Sequence, residues 1–190
     1  SSQGTPLTIS NTPSLPLEGY RLEISADGVE LRASSPAGIL YGAITLATLR
    51  KTHDGILPCG VIEDAPRFEW RGQHLDCARH FYAVETILRL LDVMALLKMN
   101  RFHWHFADDE SFRLELEGAP ELARTHFRGE GELIPGVFGG GIRSGGSYSQ
   151  DDARRIIAHA KALNIEVMPE IEVPAHAYAL AKIYPETRDP

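Results

Sequence analysis

The sequence is poor in cysteine and in positive charge, and each scarcity excludes a class of protein. Its two cysteines, Cys59 and Cys77, can form at most one disulfide bond and lack the spacing of metal ligands. A disulfide-framework fold is therefore excluded. Lysine and arginine total 19 residues against 26 aspartates and glutamates, which gives a net charge of −7. A chain with this excess of negative charge is not expected to have a basic surface that binds the phosphate groups of nucleic acid. Nucleic acid is therefore not an expected partner.

Long apolar runs are also missing. The longest, such as residues 93–97, fall well short of the ~20 residues that a transmembrane helix needs, so no membrane partner is expected. Residues 1–4 have neither the basic nor the apolar character of a secretion signal, and the sequence leaves localisation open. The composition is otherwise that of a globular protein, with 43% hydrophobic and 24% charged residues.

Residues 1–65 predict a small α+β domain. Apolar and polar residues alternate in Tyr20–Ile24 and again in Val29–Ala33, with the turn signal Asp27–Gly28 between them. This pattern is typical of a β-hairpin. Apolar residues then recur at helical spacing over residues 39–49. Residues 59–72, which contain Pro66 and Gly72, are interpreted as a linker.

Strands and helices are predicted to alternate from about residue 73 onward. Expected strands cover residues 73–78, 101–106 and 165–171, and expected helices cover residues 84–98 and 150–163 and begin again near 175. Ser149 and Asp152 have the spacing of a capping box at the start of the second helix. This alternation of strands and helices predicts an α/β fold over residues 66–190, with a parallel sheet and crossover helices.

A glycine-rich loop covers residues 136–146, which contain six glycines. It is either a loop that contacts substrate or a disordered surface loop, and composition alone does not decide between these two interpretations. It lacks the Gly-Lys-Ser/Thr ending of a nucleotide-binding loop.

Polar side chains follow each predicted strand of the second domain. Asp76 and Arg79 follow the first strand, Asp108 follows the second, and Glu170 and His176 follow the third. Enzymes with parallel sheets keep their sites at the carboxyl ends of the strands. Taken singly, each residue also has a structural explanation, such as a surface arginine or a turn aspartate.

Alternation within the second strand separates two sets of side chains. Phe102, Trp104 and Phe106 share one face, and His103 and His105 share the other. The two histidines, with His176 and Asp108, have the ligand types of a divalent metal site, so a metal-dependent barrel hydrolase is one alternative. A non-catalytic binding module is another.

Several ordered motifs resemble glycoside hydrolase family 20, the β-N-acetylhexosaminidases. The similar segments are residues 38–46, 64–68, 71–72, 76–81, 98–109, 148–150 and 169–176. The resemblance implies a small α+β domain followed by a (β/α)₈ barrel, and it implies no metal and no other cofactor. Ala175 departs from the family pattern, which usually has glycine before the histidine.

The resemblance also implies roles for five residues. Arg79 would hold hydroxyls of a terminal N-acetylhexosamine, and Asp108 and His176 would form a relay to the general acid. His103 and Glu170 would support the pocket. The implied mechanism is substrate-assisted retention, in which the 2-acetamido group of the sugar attacks the anomeric carbon.

The catalytic Asp-Glu pair that the resemblance implies, after a fourth strand, has no match after His176. Asp109-Glu110 lies at the position of a different motif. A whole barrel needs about 250 residues, and residues 66–190 supply 125. We therefore expect a partial (β/α)₈ barrel, completed either by further residues of a longer enzyme or by a second polypeptide.

Overall fold

The fold is described from a computed structural model, over residues 6–124 and 145–188. The chain divides into two compact units, Ser1–Glu69 and Trp70–Pro190. Residues 136–144 of the glycine-rich loop lie outside the described residues. No helix in the described part of the chain is long and apolar enough to cross a membrane.

The first unit is a four-stranded sheet with one helix. Its elements are β1 (Leu7–Asn11), β2 (Tyr20–Ile24), β3 (Val29–Ala33), α1 (Pro36–Thr52) and β4 (Gly60–Asp64). The strand order is β1-β3-β2-β4, and β2 and β3 pair antiparallel, which confirms the predicted hairpin.

The alternating pattern of β2 and β3 is what builds the core of the first unit. Tyr20, Leu22 and Ile24 of β2 are buried together with Val29 and Leu31 of β3. The helix α1 begins after Ser35, whose side chain caps it by accepting a hydrogen bond from the Gly38 backbone N–H at 3.2 Å. At Gly38 a Cβ atom would collide with the Gly19 carbonyl oxygen, so glycine permits the close approach there.

Two strands of this sheet differ from the sequence prediction. The interpretation of residues 59–72 as a linker is wrong in part, because β4 pairs antiparallel with β2 and Tyr20 lies opposite Asp64. Pro66 suggested a linker, although it lies outside the paired residues of β4. The strand β1 was not predicted; it pairs in parallel with β3, and its Leu7 and Ile9 are half exposed.

The second unit contains a parallel three-stranded sheet. Its elements are β5 (Gly72–Asp76), α2 (Val84–Leu96), β6 (Arg101–His105), β7 (Ala107–Asp108), β8 (Ser111–Phe112), α3 (Gln150–Ala162), β9 (Glu166–Glu170) and α4 (Tyr178–Ile183). The strand order of the parallel sheet is β5-β6-β9. In register, Gly72 lies opposite Arg101, and Arg101 lies opposite Glu166. The crossover helices α2 and α3 make this the α/β arrangement that was predicted for part of a barrel.

The core of the second unit lies on one face of β6. Phe102, Trp104 and Phe106 are buried, as their alternation predicted, together with Ile87 of α2 and Ile156 of α3. The helix α3 begins with the predicted capping box. In it, the Ser149 side chain accepts from Asp152 N at 3.1 Å and the Asp152 carboxylate accepts from Ser149 N at 3.0 Å.

A short hairpin follows β6 and was not predicted. The strands β7 and β8 pair antiparallel, with Asp108 opposite Ser111, so Asp109 and Glu110 form the turn. The hairpin fixes Asp108 at the carboxyl end of the sheet. The helix α4 begins at Tyr178, three residues later than expected, because residues 171–177 form an irregular loop.

Candidate functional site

Arg79 lies in the loop after β5 and faces three carboxylates. Its Nη1 atom lies 2.8 Å from Asp76 Oδ2, its Nη2 atom 2.6 Å from Asp108 Oδ2, and its Nε atom 3.6 Å from Glu110 Oε2. Burial would lower the pKa of Arg79, but these carboxylates leave it raised. The guanidinium is therefore charged and fixed in one plane, with its side chain about one quarter exposed.

Asp76 fixes the loop that carries Arg79. Its Oδ1 atom accepts hydrogen bonds from the backbone N–H groups of Ala78, at 3.1 Å, and Arg79, at 2.9 Å. Burial opposes ionisation of this carboxyl group, yet the hydrogen bonds from Arg79 and the charge of Arg79 leave the pKa of Asp76 lowered. Asp76 thus holds both the backbone and the side chain of Arg79.

Asp108 is the centre of the site, and it is only 2% exposed. Besides Arg79, its carboxylate faces His105 Nε2, at 2.9 Å from Oδ2, and the backbone N–H of Asp109, at 2.6 Å from Oδ1. His176 Nδ1 lies 3.3 Å from the same Oδ1 atom. One buried carboxylate therefore joins side chains from the ends of β5 and β6 and from the loop after β9.

The loop after β9 places His176 beside Asp108. His176 has a φ of 53°, in the left-handed region, where histidine is tolerated better than most residues. Ala175 is not among the residues with positive φ in the described chain. An alanine at this position therefore carries no left-handed strain. Asp109 Oδ1 accepts from the Tyr178 backbone N–H at 3.0 Å, which ties this loop to the β7–β8 turn.

A second group of polar side chains lies around Glu170, at the end of β9. Glu170 Oε2 lies 2.5 Å from His103 Nε2, 2.8 Å from His105 Nδ1 and 3.6 Å from His74 Nε2. Burial would raise the pKa of Glu170, but contacts with Glu172, His105 and His103 leave it lowered. His105 faces Glu170 with one ring nitrogen and Asp108 with the other, so it connects the two groups.

The structure thus sorts the predicted site residues into two connected groups. Arg79, Asp108 and His176 come together, and so do His103 and Glu170. Among the described residues, the donor sets close enough to share one metal ion are His74, His105 and Glu170, and separately Asp108, Asp109 and His176. The metal site considered from the sequence combined His105 of the first set with Asp108 and His176 of the second set.

The sequence did not identify Arg113 as important. It is 1% exposed, and its Nε and Nη2 atoms donate to the Ala78 carbonyl oxygen at 3.0 and 2.7 Å, while Nη1 donates to the Gly146 carbonyl oxygen at 2.9 Å. Ser111 Oγ donates to the same Ala78 oxygen at 2.6 Å. His74 and Glu110 were also missed, because only the folded chain brings them beside Glu170 and Arg79. Arg113 directly follows β8, and nothing in its position in the sequence indicates that it is buried or functional.

The strand-end placement of this site is typical of barrel hydrolases, and comparison with known proteins identifies the family. The model named Glycosyl hydrolase family 20, catalytic domain, matches residues 68–190, and the model for domain 2 of the same family matches residues 2–65. The chain therefore belongs to glycoside hydrolase family 20.

Individual relatives agree with this family. The chain is 39% identical over 184 residues to a beta-hexosaminidase of Vibrio furnissii, covering 95% of this chain and 30% of that protein. It is 37% identical to a beta-hexosaminidase of Akkermansia muciniphila, covering 95% of this chain and 36% of that protein. The chain spans about one third of the length of these relatives.

A solved structure gives the same result for the fold. The exo beta-N-acetylglucosaminidase of Vibrio harveyi, determined in complex with N-acetylglucosamine, superposes with a TM-score of 0.87 at 36% identity. The superposition covers 98% of this chain and 30% of that chain. The mixed α/β fold is therefore that of domain 2 and the first part of a family 20 catalytic domain, as predicted.

Proposed function

We propose that this chain supplies the first part of the active site of a β-N-acetylhexosaminidase. The enzyme would remove terminal β-linked N-acetylglucosamine or N-acetylgalactosamine from glycans. The observation that carries the proposal is the meeting of Arg79, Asp108 and His176 at the carboxyl ends of β5, β6 and β9. Three separate elements deliver one charged cluster to the edge where barrel enzymes bind substrates.

Arg79 is assigned to the hydroxyl groups of the terminal sugar. A sugar hydroxyl both donates and accepts hydrogen bonds, so it suits a cluster that mixes guanidinium donors with carboxylate acceptors. Arg79 is partly exposed and is fixed by Asp76 and Asp108. A donor plane that is already fixed loses little conformational entropy when the sugar binds.

Asp108 and His176 are assigned to a relay. The aspartate accepts from one ring nitrogen of His176 and so orients the imidazole, whose other nitrogen is then directed away from Asp108. That nitrogen would contact the general acid. The acid protonates the leaving oxygen while the 2-acetamido carbonyl attacks the anomeric carbon, and it later takes a proton from the attacking water.

The acid and its partner aspartate are assigned to residues outside these 190. Asp109 and Glu110 form an adjacent pair, but Asp109 binds the Tyr178 backbone and Glu110 is buried beside Arg79. Both side chains thus have structural partners. In the described sheet, β5 and β9 each pair only with β6, and further barrel strands would cover both edges. These observations support completion by further residues or by a second polypeptide.

The test compares the 190-residue chain with the complete product of its gene, using 4-nitrophenyl N-acetyl-β-glucosaminide. We expect turnover by the complete product and none by the 190-residue chain. Arg79→Ala should lower kcat/KM by at least about 100-fold, because a charged contact to the sugar is lost. Arg155→Ala is the matched control, since Arg155 forms an exposed ion pair with Glu85. Normal activity of the Arg79→Ala enzyme would contradict the proposal.

A second candidate is a module that binds N-acetylhexosamine without cleaving it. It rests on the same cluster, because Arg79 and Asp108 are held in place at the strand ends. Calorimetric binding of N-acetylglucosamine, weakened by Arg79→Ala, would support the module if neither form of the protein had turnover. A metal-dependent hydrolase has less support, because the histidines proposed for it fall into two groups.

A further inference from the structure

Three histidines converge on one carboxylate oxygen beside the proposed sugar site. His74 on β5 and His103 and His105 on β6 each place a ring nitrogen within 3.6 Å of Glu170 Oε2. The rings also contact one another, with centroids 4.8 Å apart for His74 and His103 and 5.5 Å apart for His74 and His105. The parallel register explains the grouping, because His74 lies opposite His103, and His105 lies opposite Glu170.

We propose that His74, His105 and Glu170 form a binding site for a divalent transition metal ion of the zinc type. One donor atom from each of these three residues lies within 4.8 Å of the others. In a tetrahedral zinc site with nitrogen and oxygen ligands at about 2.0–2.2 Å, neighbouring ligand atoms are about 3.4 Å apart. Small side-chain rotations therefore bring the three donors to coordinating distance. His103 Nε2, 2.5 Å from Glu170 Oε2, is a fourth nearby donor.

The buried member of the set supports this assignment independently. His105 is 3% exposed, and its Nδ1 atom makes no hydrogen bond within the described structure. It approaches Glu170 Oε2 to 2.8 Å, and His103 Nε2 approaches the same oxygen to 2.5 Å, as ion-pair contacts rather than aligned hydrogen bonds. A metal ion coordinated by both atoms would satisfy them, because a neutral imidazole and a carboxylate are both electron-pair donors.

Asp108 supplies the usual second partner of a metal-bound histidine. Metal-ligating histidines almost always donate their other ring N–H to a carboxylate or carbonyl oxygen, which fixes the tautomer. His105 Nε2 lies 2.9 Å from Asp108 Oδ2. A proton on Nε2 leaves the lone pair of Nδ1 directed toward Glu170 and the proposed ion. The side chains of His74 and His103 are 48% and 41% exposed, so an ion can reach the site from solvent.

The proposed ligand set differs from the metal site considered from the sequence alone. It uses His74 and Glu170 and does not use His176, which belongs with Asp108 and Asp109. It also does not depend on the glycosidase proposal, because the ligands come from strands of the described sheet. Removal of His74 is the cleanest test, since this side chain is half exposed and lies outside the core.

The experiment is calorimetric titration of zinc chloride into the untagged, metal-free complete product of the gene. We expect one zinc ion per chain, with affinity lowered at least about tenfold by His74→Ala, since even outer-shell changes at metal sites cost 10–100-fold. His159→Ala, which removes a histidine paired with Asp92 on the surface, should bind zinc like the unaltered chain. Circular dichroism of each variant verifies that the fold is retained.

A third variant distinguishes the two donor sets. Asp109→Ala removes one donor from the set that contains His176 and should leave zinc binding unchanged. Tetrahedral Co²⁺, added in place of zinc, should give visible d–d absorption that His74→Ala abolishes. Absence of zinc binding, or binding that Asp109→Ala abolishes and His74→Ala does not, would overturn the proposal.

Discussion

The Nη2 atom of Arg79 lies 2.6 Å from Oδ2 of Asp108. Arg79 belongs to the loop after β5, and Asp108 to the short strand β7, so 28 residues that include α2 and β6 separate them. Their contact depends on the parallel pairing of β5 with β6, which places both strand ends at one edge. The site is therefore a property of the sheet, and changes at its centre should affect folding as well as activity.

The first prediction concerns Asp108→Asn. Asparagine keeps the shape of the side chain but replaces one carboxylate oxygen by an amide nitrogen, so it cannot accept from all the donors around it. We expect the free energy of unfolding to fall by about 1–3 kcal/mol, as for a buried group left without its partner. Urea denaturation measures this change.

The matched control is Asp151→Asn. Asp151 is exposed and pairs with Arg154 at 2.6 Å, and surface pairs of this kind contribute about 0–1 kcal/mol. Equal destabilisation by the two variants would contradict the central position assigned to Asp108.

The second prediction concerns Arg113, which holds the Ala78 carbonyl oxygen next to Arg79. Lysine keeps the charge but has no planar fork, so it cannot reach the Ala78 and Gly146 oxygens together. We expect Arg113→Lys to lower the free energy of unfolding by at least about 2 kcal/mol. The exposed Arg154→Lys is the control. If Arg113→Lys unfolded at the same urea concentration as the wild type, the role of Arg113 in holding these two carbonyl oxygens would be refuted.

The third prediction follows from the lowered pKa of Asp76. A carboxyl group whose pKa is lower in the folded state stabilises the protein above its unfolded pKa, near 3.8, and this contribution is lost as pH falls through the folded value. Asp76→Asn should therefore be less stable than the wild type at pH 6. The difference should shrink progressively below about pH 4. A difference in unfolding free energy that stays constant from pH 6 to pH 2.5 would contradict the role assigned to Asp76.

The sequence predicted those parts of the fold that depend on local periodicity. The alternation from Phe102 to Phe106 identified the buried face of β6, and the Ser149 and Asp152 pair identified the start of α3. It missed β1, a short edge strand in which Leu7 and Ile9 are the two apolar residues. The sequence prediction also took the residues of β4 for a linker, because a nearby proline is typical of linkers.

The site was predicted only in part for a similar reason. Arg79, Asp108 and His176 follow predicted strands, and residues at the ends of parallel strands are expected to meet. Arg113 and His74 act through long-range contacts with Ala78 and Glu170, and nothing in their own sequence neighbourhood reveals those contacts. Burial of a charged residue is visible only in the folded chain.

A comparison of two chromogenic substrates with the complete gene product tests whether the site belongs to a β-N-acetylhexosaminidase. One is 4-nitrophenyl N-acetyl-β-glucosaminide, and the other is 4-nitrophenyl β-glucoside, which has a hydroxyl group in place of the 2-acetamido group. Substrate-assisted catalysis uses that acetamido group as the nucleophile. We expect rapid hydrolysis of the first substrate and no detectable hydrolysis of the second. Equal hydrolysis of both substrates, or hydrolysis of neither, would contradict the proposed function.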